Sequence, residues 1–142
     1  MGRGVTERPE TTGGRERRVW IVEDEPAAAE LAAELCEGWG ADALVFRAPL
    51  PFLDALRARD RPTAVVLDWR LERELSAALF LATRHRYPRL PVIYWTGHAS
   101  GELPSMIVDD AHTRVVDKAG GTEPFERALD WAGGVEAADR VG

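Results

Sequence analysis

The sequence predicts a single α/β domain: five strand–helix units forming a largely parallel sheet with helices on both faces. Three observations predict it. Short apolar runs recur, at Val19-Trp20-Ile21-Val22, Ala64-Val65-Val66-Leu67, Val92-Ile93-Tyr94-Trp95 and Val115-Val116. Stretches with a three-to-four-residue apolar period separate them, at a repeat of roughly 20 to 25 residues per unit. Connections that short and helical leave a parallel sheet as the arrangement that closes.

The elements follow in order. Residues 18–23 read as a buried strand. Pro26 then suits a first helical turn, where its missing N–H costs nothing. A helix follows through Ala27 to Leu35, with Leu31 and Leu35 on one face, and Gly40 is a natural stop. A second strand covers 42–47. The second helix, 50–59, turns Phe52, Leu53 and Leu56 inward, and Pro62 closes the connection. Residues 64–68 form the third strand. The third helix spans 74–86 with Leu75, Ala78, Leu79, Leu81 and Ala82, and Pro88 and Pro91 bracket the turn into strand 92–95. A short fourth helix is expected over 103–110, with Pro104 in its first turn. Strand 113–117 and helix 122–132, capped by Thr122 with Pro124 behind it, complete the series. Residues 1–16, rich in Gly, Thr, Arg and Glu, read as a flexible leader. The Gly133-Gly134 segment opens a flexible tail, 133–142. The folded unit is therefore 17–132.

Bulk properties narrow the function. A chain of 142 residues makes one domain rather than two. Its net charge of −6 argues against direct nucleic-acid binding, which needs a basic surface to meet phosphates. Cys36 is the only cysteine, so no internal disulfide forms, and it reads as a small buried hydrophobe. No run approaches a membrane span, and the first residues lack the apolar core of a secretory signal. A reducing cytoplasmic setting without membrane insertion is the expectation.

The chemistry lies at the ends of the strands. Glu23 and Asp24 end the first apolar run, Asp68 ends the third strand, Thr96 follows the fourth and Lys118 the fifth. In a parallel sheet such residues converge outside one edge. Carboxylates gathered there suit a hard divalent cation, and a lysine and a hydroxyl beside them suit a phosphoryl group. Taken singly, each has an ordinary explanation: a solvated acidic loop, a loop cap, a Thr-Gly turn, a surface lysine. The order and placement of all four carry the argument.

Over residues 17–132 the chain resembles a response-regulator receiver domain of two-component signalling. The matching motifs are Val22-Glu23-Asp24-Glu25-Pro26, Val66-Leu67-Asp68, Trp95-Thr96-Gly97 and Asp117-Lys118, with separations of 44, 28 and 22 residues from Asp24 to Asp68, Thr96 and Lys118 in turn. The resemblance implies a strand order of 2-1-3-4-5. It implies that Asp68 accepts a phosphoryl group from a sensor histidine kinase or phosphotransfer protein. It assigns magnesium to Glu23, Asp24, Asp68 and the backbone carbonyl of Arg70, and gives Thr96 and Lys118 the phosphoryl oxygens. Arg70 and His98 fall at positions that tune the lifetime of the acyl phosphate. Output would pass through the fourth helix, fifth strand and fifth helix, to a downstream protein or a second copy of the chain. Such a protein assists its own phosphorylation without being a turnover enzyme.

The chain also departs from the family. Val115 stands at the switch-aromatic position, with the basic Arg114 beside it, and Ala119 replaces the proline common after the lysine. Two other readings compete. A phosphorylation-independent binding scaffold is favoured by those departures and opposed by the intact acidic set. A small magnesium-dependent phosphohydrolase is opposed by the lack of room for a cap and by Arg70 where a general acid would stand.

Overall fold

The computed structural model describes residues 16–69, 73–97 and 103–141. Five parallel strands, β1 (Arg17–Val22), β2 (Ala41–Phe46), β3 (Ala64–Leu67), β4 (Val92–Thr96) and β5 (Thr113–Asp117), form one sheet in the order β2-β1-β3-β4-β5. The helices are α1 (Pro26–Gly38), α2 (Pro49–Ala58), α3 (Arg73–Arg86), α4 (Ser105–Val108) and α5 (Glu123–Val141). This is the doubly wound (βα)5 architecture expected from the apolar runs. Among the described residues no helix is long and apolar enough to cross a membrane.

Strand side chains alternate between faces, so each strand feeds two cores. Trp20, Val22, Val65, Leu67, Val92 and Tyr94 pack with Phe52, Leu56, Leu79, Phe80 and Ile107 of α2, α3 and α4. Val19, Ile21, Val66, Ile93 and Trp95 pack with Ala32 and Cys36 of α1 and with Phe125 and Leu129 of α5. Burial on both faces explains why β1, β3 and β4 carry continuous apolar runs.

Several helices differ from expectation. On α1 the buried stripe is Ala29, Ala32 and Cys36, while Leu31 is 37% exposed and Leu35 half-buried. Small residues face the sheet and the leucines flank it. The helix begins at Glu25, whose carboxylate accepts the Ala28 N–H at 2.8 Å, and it stops at Gly40, whose φ of 93° suits the residue after a helix cap. On α3, Ser76, Leu79, Phe80 and Thr83 are buried, whereas Leu75 and Leu81 are exposed.

The fourth helix is a single turn, not the expected 103–110. Pro104 occupies the cap, and downstream the Asp110 carboxylate takes the His112 N–H and the Thr113 hydroxyl at 3.1 and 2.7 Å, drawing the backbone away from the helix. Ile107 is fully buried and Met106 is 45% exposed. α5 is longer than expected, running through Gly133-Gly134 to Val141 where 133–142 reads as a tail in the sequence. Ion pairs from Arg61 to Glu136 and from Arg89 to Asp139 hold its second half against the loops below the sheet.

Candidate phosphoryl and metal site

The carboxyl edge of the sheet gathers the acidic residues because the strands are in register. Val22 pairs with Leu67 and Leu67 with Tyr94, so Glu23 and Asp68 leave neighbouring strands at the same level. One strand further, Thr96 pairs with Asp117, placing Lys118 just past the end of β5. Asp117 Oδ1 accepts the Ala119 N–H at 2.8 Å and starts a 3-10 turn over Lys118–Gly120.

Lys118 Nζ donates to Glu23 Oε1 at 2.8 Å and to Asp68 Oδ2 at 3.2 Å. Glu23 and Asp68 are buried, at 2% and 5% exposure, and Asp24 is open to solvent. One carboxylate oxygen from each of Glu23, Asp24 and Asp68 lies within 4.8 Å of the others. The remaining Glu23 oxygen accepts the Glu25 N–H at 3.3 Å. Arg47 donates to the Asp24 carbonyl at 3.3 Å, tying the loop after β1 to the end of β2.

One ammonium thus bridges two buried carboxylates, with a third, Asp24, beside them. Burial is the chief reason that the Glu23 carboxyl titrates above its ordinary value; the Lys118 hydrogen bond opposes this and the Asp68 charge adds to it. For Lys118, burial alone would favour the neutral amine. The hydrogen bond to Glu23 and the Asp68 charge outweigh it and raise its pKa. The site therefore holds a firmly charged lysine beside a group of carboxylates of the kind a hard divalent cation binds.

Thr96 is fully buried, and its hydroxyl has no hydrogen-bond partner among the described residues. The indole N–H groups of Trp69 and Trp95 are likewise buried and unpartnered there. Buried polar atoms are usually satisfied, so three unpartnered ones on residues next to or at Asp68 and Thr96 set this edge apart among the described residues.

The structure brings together Glu23, Asp24, Asp68 and Lys118 and places Thr96 on the adjoining strand. Arg70 and His98 lie outside the described residues. Arg114 and Val115 stand apart from the carboxylates on β5. The Arg114 guanidinium lies 4.8 Å from the centre of the Trp131 ring, and Val115 is half-buried against the α2–α3 core. Sequence reasoning passed over one signal: Lys118 is the only lysine among 18 lysines and arginines. Its compact ammonium, a point charge on a flexible stem, donates to two buried carboxylates at once.

No family model matches the chain, and no curated protein matches it in sequence. Solved structures do match in shape. The N-terminal domain of a response regulator/sensory box/GGDEF three-domain protein from Carboxydothermus hydrogenoformans aligns at a TM-score of 0.74 and 18% identity, over 87% of this chain and 98% of that one. A response regulator receiver protein from Burkholderia phymatum aligns at 0.69 and 22% identity, over 84% and 96%. A response regulator receiver domain protein from Methanospirillum hungatei aligns at 0.74 and 16%, over 89% and 98%. The fold is that of receiver domains.

Proposed function

We propose that the chain is a phosphorylation-controlled signalling receiver. The observation that carries this reading is the bridge made by the chain's one lysine between buried Glu23 and buried Asp68, with Asp24 beside them. Asp68 is the phosphoryl acceptor. One of its carboxylate oxygens bonds to the phosphorus of a phosphohistidine on a sensor histidine kinase or phosphotransfer protein. The P–N bond breaks, and its electron pair returns to the imidazole.

The donor set fits magnesium, since hard oxygen ligands from Glu23, Asp24 and Asp68 suit a small divalent cation that keeps several waters. Bound there, magnesium supplies positive charge to the phosphoryl oxygens. The Arg70 carbonyl belongs to the same proposed ligand set. Lys118 stands beside the acceptor oxygen and offsets charge that builds during transfer. The unpartnered Thr96 hydroxyl is available as a donor to the new phosphoryl group.

Acyl-phosphate formation then alters the α4–β5–α5 face, Arg114 and Val115 included, and with it the contact to a downstream protein or a second copy. Water attack on phosphorus releases inorganic phosphate and restores Asp68. Arg70 and His98 set the pace of that step. A single phosphorylation that decays slowly, in place of repeated turnover of a small phosphate ester, separates this role from that of a phosphohydrolase.

Incubation with magnesium and acetyl phosphate tests the proposal by intact mass. A single phosphoryl-sized increase is expected in the wild-type chain with magnesium, and none in D68N or without the metal. An unmodified wild-type chain, beside a known receiver that is modified in the same reaction, would overturn it.

A further inference from the structure

Lys118 has a neighbour besides the carboxylates. Its Nζ lies over the Trp95 ring, 5.2 Å from the centroid, inside the roughly 6 Å reach of cation–π attraction. Strand alternation sends Trp95 to the α1 and α5 side of the sheet, where its ring meets Phe125 of α5 at a centroid distance of 5.0 Å and an angle of 48°. Trp95 is 4% exposed and Phe125 fully buried, so the indole is fixed from behind.

The choice of residue is informative. A buried tryptophan usually finds an acceptor for its N–H. Trp95 has none among the described residues. Phenylalanine would fill apolar space there without burying a donor. What indole offers beyond phenyl is the more negative ring face, the better partner for a cation. That face is turned to the only ammonium side chain in the sequence.

We infer that Trp95 is a positioning residue that holds the Lys118 ammonium in place beside Asp68 before phosphoryl transfer. The inference rests on the receiver reading for its consequence, but the contact itself does not. Two of the ammonium's directions are taken by Glu23 and Asp68. The ring supplies the third restraint, one that neither competes for a carboxylate nor needs a solvent molecule.

Because Lys118 is the only lysine, the full chain grown with 13C-lysine gives one lysine side-chain signal set. The Hε protons next to an ammonium over an indole face are shielded. They should resonate upfield of free lysine in the wild type, less so in W95F, and at the free position in W95L. Phosphorylation by acetyl phosphate at saturating magnesium should slow in the same order, with W95L about two- to five-fold below wild type, the size of one cation–π contact. Unshifted Lys118 protons in the wild type would overturn the inference, and so would a W95L rate equal to wild type. Should W95L fail to fold, W95F decides: an unchanged shift with an unchanged rate overturns the assignment. A wild-type chain that takes up no phosphoryl group would sink the receiver reading, while the shift series still decides whether Trp95 holds Lys118.

Discussion

The two edges of the sheet handle charge in opposite ways. At the amino edge, the Arg84 guanidinium donates to the carbonyls of Tyr87, Leu90 and His112 at 3.1, 2.7 and 3.3 Å and to Asp110 at 2.9 Å. Thr63 exchanges hydrogen bonds with the Arg18 backbone, and Arg61 and Arg89 hold α5 through Glu136 and Asp139. Among the described residues only the Arg84 Nε is left buried and unpartnered on that side. At the carboxyl edge, Glu23 and Asp68 share one lysine with Asp24 beside them, and among the described residues Thr96, Trp69 and Trp95 each bury an unpartnered polar atom. One edge is closed by its own side chains. The other departs from local satisfaction, as functional sites do.

Breaking the closed edge should have the largest effect. Arg84→Ala strips Asp110, whose side chain is 19% exposed, of its cation and removes donors from the carbonyls it gathers. A loss of about 1 to 3 kcal/mol is expected in urea denaturation, since the pair is half-buried and several acceptors lose their donor at once. Arg57→Ala is the control. Its pair with Asp54 is 77% and 69% exposed, and such pairs contribute about 0.5 kcal/mol or less. Similar losses in the two variants would dissolve the distinction between a closing network and ordinary surface charge.

The open edge should respond to pH in the other direction from an ordinary carboxylate. Burial, opposed by the Lys118 hydrogen bond and reinforced by the Asp68 charge, raises the folded-state pKa of Glu23 above its usual 4.5. The unfolded chain thus ionises Glu23 first, and folding becomes less favourable as pH rises from that value through the folded one. Glu23→Gln mimics the protonated form. Without metal it should match wild type near pH 4 and gain stability relative to it toward pH 7. Adding magnesium should favour the wild type by mass action. Paired urea titrations across this range check both halves, and a gap that stays constant with pH would show that Glu23 carries no electrostatic cost.

The sheet and most of the site were legible because the same residues report both. Runs such as Ala64-Val65-Val66-Leu67 must be buried on two faces, so the apolar pattern alone assigns the polar residue that ends each run to the edge of the sheet. Glu23, Asp68 and Lys118 converge for that reason. Helix detail was less legible. Leu31 and Leu35 look like the core face of α1, but close approach to the sheet selects Ala29, Ala32 and Cys36. The length of α4 depends on Asp110 capturing the backbone of the following turn, a contact invisible to periodicity. The role of Trp95 depends on a neighbour 23 residues away in sequence, Lys118.

The end of α5 shows how a local preference is overridden, and it gives the smallest and sharpest effect. Gly133-Gly134 reads as a helix stop because glycine costs about 1 kcal/mol relative to alanine in a helix interior. At Gly133 the missing side chain is a packing requirement: a Cβ there would lie 2.9 Å from Cζ2 of Trp39. That ring cannot easily give way, since its N–H donates to Asp130 at 2.9 Å and the Arg17 guanidinium stacks on it at 3.9 Å. At Gly134 nothing lies within 4 Å of the same position. Adjacent glycines should therefore answer with opposite signs. Gly134→Ala should stabilise by about 0.5 to 1 kcal/mol through helix propensity alone. Gly133→Ala should forfeit that gain and lose stability as Trp39 is pushed from Asp130. Thermal melts of the two single variants decide it. Equal stabilisation by both would mean that α5 does not seat against Trp39, and that the closed edge of the sheet ends where the glycines begin.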